Sequence, residues 1–224
     1  MSSKDNMKMI VDSELKKEIQ KIIGEALPKA TTYEQYRNLV SELAENKDTT
    51  GEKTESYINY TLLNNRRMKR WDKTLRLSEE QENTIRDFKK DAIWLVLTES
   101  WCGDAAPTIP AMNKIAGLNP NLTLKVLLRD EHSELMDHFL TNGARSIPKL
   151  IMLDADTLEV LGNWGPRPAI AAKMVADYKR EHGKLTSEFR EELQNWYNKD
   201  KGQETLKELI ALLALEDVSN GANL

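Results

Sequence analysis

A change of hydrophobic period at Ala92 constrains the fold more than any other feature of this chain. Ahead of it the apolar residues recur at helical spacing. Ile10, Leu15, Ile19, Ile22, Ile23 and Leu27 form one such series, closed by Pro28. Thr32 with Gln35, or Thr31 with Glu34, has capping-box spacing before Tyr36, Leu39, Val40 and Leu43. Glu52 to Lys73, with Tyr57, Tyr60, Leu62, Leu63, Met68 and Trp71, reads as a long helix, and Ser78 with Gln81 opens another carrying Ile85 and Phe88. After it, Ile93-Trp94-Leu95-Val96-Leu97 is an unbroken apolar run too short for a helix, so it predicts a buried strand.

From there strands and helices alternate. A helix with Pro107 in its first turns and Met112, Ile115 and Leu118 on its apolar side leads to a second strand, Leu122 to Leu128. Ser133 to Leu140 predicts a helix closed near Asn142-Gly143. Pro148 to Leu153 and Leu158 to Leu161 predict two strands joined by the turn-prone Asp154-Ala155-Asp156-Thr157, and Ala169 to Arg180 returns to helix. One crossover helix between the first two strands makes them parallel, while the last two pair antiparallel. Glu188 to Asn198 and Glu204 to Leu215 predict closing helices. The apolar face of the last, with Leu206, Leu209, Ile210, Leu212, Leu213 and Leu215, is expected to dock within the chain. The expectation is an α/β protein with a helical N-terminal extension over 1–90, a mixed core over 91–183 and packed C-terminal helices over 184–224.

Composition narrows the classes of function. A net charge of −4 argues against a general nucleic-acid binder. No apolar run is long enough to span a membrane, and Met1 to Asn6 lacks a secretory signal's pattern, so a cytoplasmic protein is expected. Cys102 is the single cysteine and His132, His138 and His182 the three histidines, which excludes an internal disulfide and a structural zinc set. His132 and His138 fall on different helix faces, so no shared metal is expected. No cofactor-binding loop occurs.

Trp101-Cys102-Gly103 lies between an apolar strand and a helix start, and Ile147-Pro148 heads another strand further on. This pattern resembles the thioredoxin superfamily over roughly Ala92 to His182. More narrowly it is similar to a bacterial subgroup in which a helical N-terminal segment precedes a single-cysteine Trp-Cys-Gly-Asp motif; Tyr57 to Lys73 and the Trp164-Gly165-Pro166-Arg167 turn suit that subgroup. The resemblance implies a thioredoxin-like βαβαββα core, with Cys102 as nucleophile and a cis Ile147-Pro148 peptide facing it. Two departures stand out. Ala105 occupies the place of the usual second cysteine, after Asp104 where proline is common, and Val96 stands where many members carry a buried acid.

A cysteine at a helix N-terminus has its thiolate favoured by backbone N–H groups and the helix dipole. Asp104 pushes the other way if its carboxylate approaches, and its alternative role is a plain helix N-terminal acid. A lone cysteine is often buried and inert; the strand-to-helix placement favours a solvent-accessible one. Without a second sulfur, the expected chemistry is a mixed disulfide released by an outside thiol, with glutathione or a protein cysteine as partner. Trp101 and Trp164 either flank the site as an apolar lip or are ordinary packing, and Gly103, Asp104, Ile147 and Pro148 complete the groove. The alternative is a redox-inactive binding module on the same fold. The basic cluster Arg66, Arg67, Lys69 and Arg70, beside Trp71, has the charge to hold an anion such as a glutathione carboxylate or a nucleic-acid phosphate, but a solvated helix face is the favoured reading.

Overall fold

The computed structural model describes the backbone of residues 3–221 and the side chains of 13–214. The side chains of Met1 to Asn6, Ile10 and Leu215 lie outside the described residues. Four helices precede the sheet: α1 (Ser3–Ala26), α2 (Tyr33–Glu45), α3 (Glu55–Thr74) and α4 (Glu79–Asp87). Their starts are written locally. Thr32 and Ser78 both complete capping boxes, with Gln35 and Gln81, and Thr54 accepts from the Tyr57 N–H. A short 3-10 turn, Leu27–Lys29, places Pro28 where α1 ends.

The second half runs β1 (Ala92–Thr98), α5 (Ala105–Ala116), β2 (Leu122–Leu128), α6 (Ser133–Asp137), β3 (Lys149–Asp154), β4 (Val160–Trp164), α7 (Ala169–His182), α8 (Ser187–Asp200) and α9 (Gln203–Gly221). The strands form one sheet in the order β2-β1-β3-β4, with β1 and β2 parallel and the other two pairings antiparallel. β1 is central, and Trp94, Leu95, Val96 and Leu97 are wholly buried, which is why its sequence does not alternate.

Several elements depart from their sequence-predicted bounds, and at two of them the local backbone shows why. The last strand starts at Val160 rather than Leu158, because Leu158 adopts a positive φ of 61° and the Asp154 carboxylate accepts from the backbone N–H groups of Asp156 and Thr157. Asp154 is thus a turn-former, as its place suggested. Helix α6 stops at Asp137, short of Leu140, and Asn142-Gly143 instead forms a tight turn in which both residues have positive φ.

The flanking helices close on the sheet through specific contacts. Thr31 exchanges backbone hydrogen bonds with Val126 at the β2 edge, which covers part of an otherwise free strand edge. At the other edge Gly162 admits α9, since a Cβ there would come within 2.9 Å of Leu212 Cδ1. Leu206, Leu209, Leu212 and Leu213 are buried, so the apolar face of α9 is covered by the protein itself. Among the described residues no helix is long and apolar enough to cross a membrane.

Candidate active site

The turn after β1 brings Cys102 to the start of α5, where the backbone N–H groups of Asp104 and Ala105 point at its sulfur. Opposite stands Ile147, joined to Pro148 by a cis peptide, and its carbonyl accepts from the Cys102 thiol at 3.2 Å. Gly165 permits this approach of β4 to the segment before β3. Its φ of 116° suits glycine, and a Cβ there would collide with the Pro148 carbonyl oxygen.

Cys102 is 6% exposed, which corrects the expectation of a solvent-accessible thiol. The surface it keeps faces a half-open cavity of about 710 Å³. Its thiol pKa is pushed up to about 12, first by burial and second by the nearby Asp104 charge, against which the two N–H groups and Arg167 work. The resting group is therefore a neutral thiol donating to Ile147.

Asp104 is not a plain helix cap. Its side chain makes no capping hydrogen bond; it accepts from Tyr197 at 3.2 Å and pairs with Arg167 at 2.6 Å, and only 7% of the residue is exposed. Burial raises its carboxyl pKa, with Arg167 the main opposing influence. Burial also pulls Arg167 down, but Asp104, Tyr197 and the thiol outweigh it, so the guanidinium is held protonated more firmly than usual.

Trp101 stacks flat on Tyr57 of α3, ring centroids 4.2 Å apart, and carries Arg129 over its ring at 5.2 Å. The Gly103 carbonyl oxygen accepts from the side-chain amide of Gln194 in α8 at 3.0 Å. The structure thus gathers Trp101, Cys102, Gly103, Asp104 and Ile147 around one cavity, with Pro148 buried directly behind Ile147. Trp164 is not brought there and forms no lip. Its indole N–H donates to Glu208 of α9 at 2.7 Å.

Sequence reasoning missed the walls. Arg67, read as part of a solvated face, is half-buried and lines the cavity, whereas its neighbour Arg66 is exposed and does not. Arg70 instead reaches Asn198 of α8. Also missed was a buried hydroxyl cluster beneath the motif: Thr49, Thr61 and Ser100 lie within 2.8 to 3.2 Å of one another, and Ser100 exchanges hydrogen bonds with Thr50. Glu99 is wholly buried beside it. One carboxylate oxygen accepts from the Asp130 N–H, and the other has no hydrogen-bond partner. Burial raises the Glu99 pKa. No group of His, Cys, Asp and Glu among the described residues is placed to hold a metal ion.

The family described as thioredoxin matches residues 51–179. The chain therefore belongs to the thioredoxin family. No curated protein matches it. Among solved structures it is similar to a protein of unknown function from Pseudomonas aeruginosa, with a TM-score of 0.55, 18% identity, and coverage of 84% of this chain and 99% of that one. It is also similar to an HIV epitope scaffold, with a TM-score of 0.51, 18% identity, and coverage of 82% and 98%. At such identities these two likenesses carry the fold alone.

Proposed function

We propose that this protein performs thiol/disulfide exchange through the single sulfur of Cys102, as a member of the single-cysteine subgroup. The observation that carries this reading is the position of Sγ: on a cavity wall, at the start of α5, against the carbonyl of Ile147 beside a cis proline. In the exchange, the Cys102 thiol loses its proton to solvent and the thiolate attacks one sulfur of a substrate disulfide. A new S–S bond forms to Cys102, the substrate S–S bond breaks, and the other half leaves as thiolate. An external thiolate then attacks the substrate-derived sulfur of the mixed disulfide; a new S–S bond forms between the outside thiol and the retained half, the bond to Cys102 breaks, and Cys102 leaves as thiolate, so the net step exchanges the outside thiol for the one released first. Ala105 offers no sulfur for an internal release step.

A second reading is favoured by the burial of Cys102, 6% exposed with Asp104 close by, which pushes its thiol pKa up to about 12. A thiol so weakly acidic suits a redox-inactive binding module whose Cys102 only donates to Ile147. Mass spectrometry after incubation with glutathione disulfide separates the two. Exchange predicts one adduct, absent in Cys102→Ser and removed by added thiol. Because the folded pKa lies far above neutral, the rate of adduct formation should climb about tenfold per pH unit from pH 7 to 10 without a plateau. A protein that gains no adduct at any pH in that range is the binding module.

A further inference from the structure

The charged wall of the Cys102 cavity is unevenly balanced. Five arginines line it, Arg67, Arg129, Arg145, Arg167 and Arg190, against two carboxylates, Asp104 and Glu191. Three of the five are committed: Arg129 to Asp130 at 2.7 Å, Arg145 to Asp137 and Arg167 to Asp104, both at 2.6 Å. Arg67 and Arg190 make no ion pair among the described residues. The hydrogen bond recorded for Arg67 is a long one, 3.4 Å, to the neutral Asn64 side chain. Both unpaired guanidiniums come from helices outside the four-stranded core, Arg67 from α3 and Arg190 from α8.

The same two helices bracket the motif. Tyr57 of α3 covers the ring of Trp101, Gln194 of α8 is bonded to Gly103, and Tyr197 of α8 to Asp104. With both flanks occupied and Cys102 only 6% exposed, the sulfur is reached through this half-open cavity. A space of about 710 Å³ has the size of a small-molecule site, and a guanidinium without a partner is a forked donor shaped for carboxylate or phosphate.

We propose that the cavity takes a small anionic thiol or its disulfide, with Arg67 and Arg190 gripping the acidic groups while the sulfur lies at Cys102, and that an extended peptide is not its substrate. This rests on the exchange reading for its sulfur chemistry, but anion capture is separable from it and is tested without the thiol. In full-length Cys102→Ser, calorimetric titration uses glutathione as the carboxylate-bearing probe and coenzyme A as the phosphate-bearing one. At least one binds, with affinity falling as salt rises. Adding Arg67→Met or Arg190→Met weakens that probe about tenfold or more. Arg67→Lys retains part of the affinity, and Arg66→Met, outside the cavity, leaves it unchanged.

Glu191→Gln removes the carboxylate without an ion pair from this wall and tightens binding several-fold. Circular dichroism confirms that each variant is folded. No binding of either probe, binding indifferent to both arginines in folded variants, or tighter binding of an extended disulfide-bonded peptide overturns the proposal. Capture of a probe by Cys102→Ser together with no adduct on the native thiol overturns the exchange reading alone.

Discussion

Two acids flank Cys102 in the chain, and their partners treat them oppositely. Asp104 and Glu99 are both sequestered from solvent, at 7% and 0% exposure, and burial raises the pKa of each. Asp104 meets a cation at 2.6 Å and a phenol at 3.2 Å. Glu99 meets a backbone N–H and neutral hydroxyls, and one of its oxygens is left without a partner. A paired acid projects a negative charge onto the sulfur; an unpaired one is driven toward its neutral form. The cost of generating the Cys102 thiolate, set first by burial, is therefore adjusted on the Asp104 side of the motif, where Arg167 from the turn after β4 and Tyr197 from α8 hold the carboxylate.

Removing the cation should break the contrast most severely. Arg167→Met leaves Asp104 buried without its counter-charge, and an expected loss of about 3 kcal/mol should appear in urea denaturation at neutral pH. The deficit should shrink on acidification, because protonation of Asp104 removes the uncompensated charge. An equal deficit at pH 4 and pH 8 would show that lost packing is responsible.

Neutralising the acid has a smaller, chemical effect. Asp104→Asn takes away the charge that disfavours the thiolate and leaves Arg167, which favours it, so the Cys102 pKa should drop from about 12. Alkylation by iodoacetamide at pH 8 should run on the order of three- to tenfold faster than in the native protein. A rate that stays the same would mean that burial alone holds the thiol neutral.

The third substitution sharpens the comparison from the other side. The folded pKa of Glu99 lies above its ordinary 4.5. Its contribution to stability is thus fully present below 4.5 and is lost as pH rises through the raised folded value. Glu99→Gln should abolish that loss while changing stability at acid pH by about 1 kcal/mol or less. Urea midpoints at pH 4 and pH 8 measure it; a variant that keeps the native pH slope would place the titrating group elsewhere.

The part of this molecule that sequence reveals is the part written locally. Capping boxes at Thr32 and Ser78, the unbroken run in β1 and the turn chemistry of Asp154 each act over a few residues, and the structure has them where expected. The strand-to-helix placement of Cys102 and the facing Ile147-Pro148 segment were legible for the same reason, through a motif. What surrounds the sulfur was not. Tyr197 lies 93 residues from Asp104 and Gln194 91 residues from Gly103, so no periodicity links them. Arg66 and Arg67 look alike in a basic run, and only the rotation of α3 buries one and exposes the other. Trp164 misled because an aromatic near the motif is ambiguous until its N–H finds a partner, here Glu208. Asp104 misled because a carboxylate at a helix start has a sufficient local explanation.

The stack of Tyr57, Trp101 and Arg129 carries one more consequence. An indole pinned on one face by a phenol ring and on the other by a guanidinium has little rotational freedom left to surrender. The wall beside the sulfur is rigid before any guest arrives, so the entropy of ordering that side chain is spent during folding and is not charged against association.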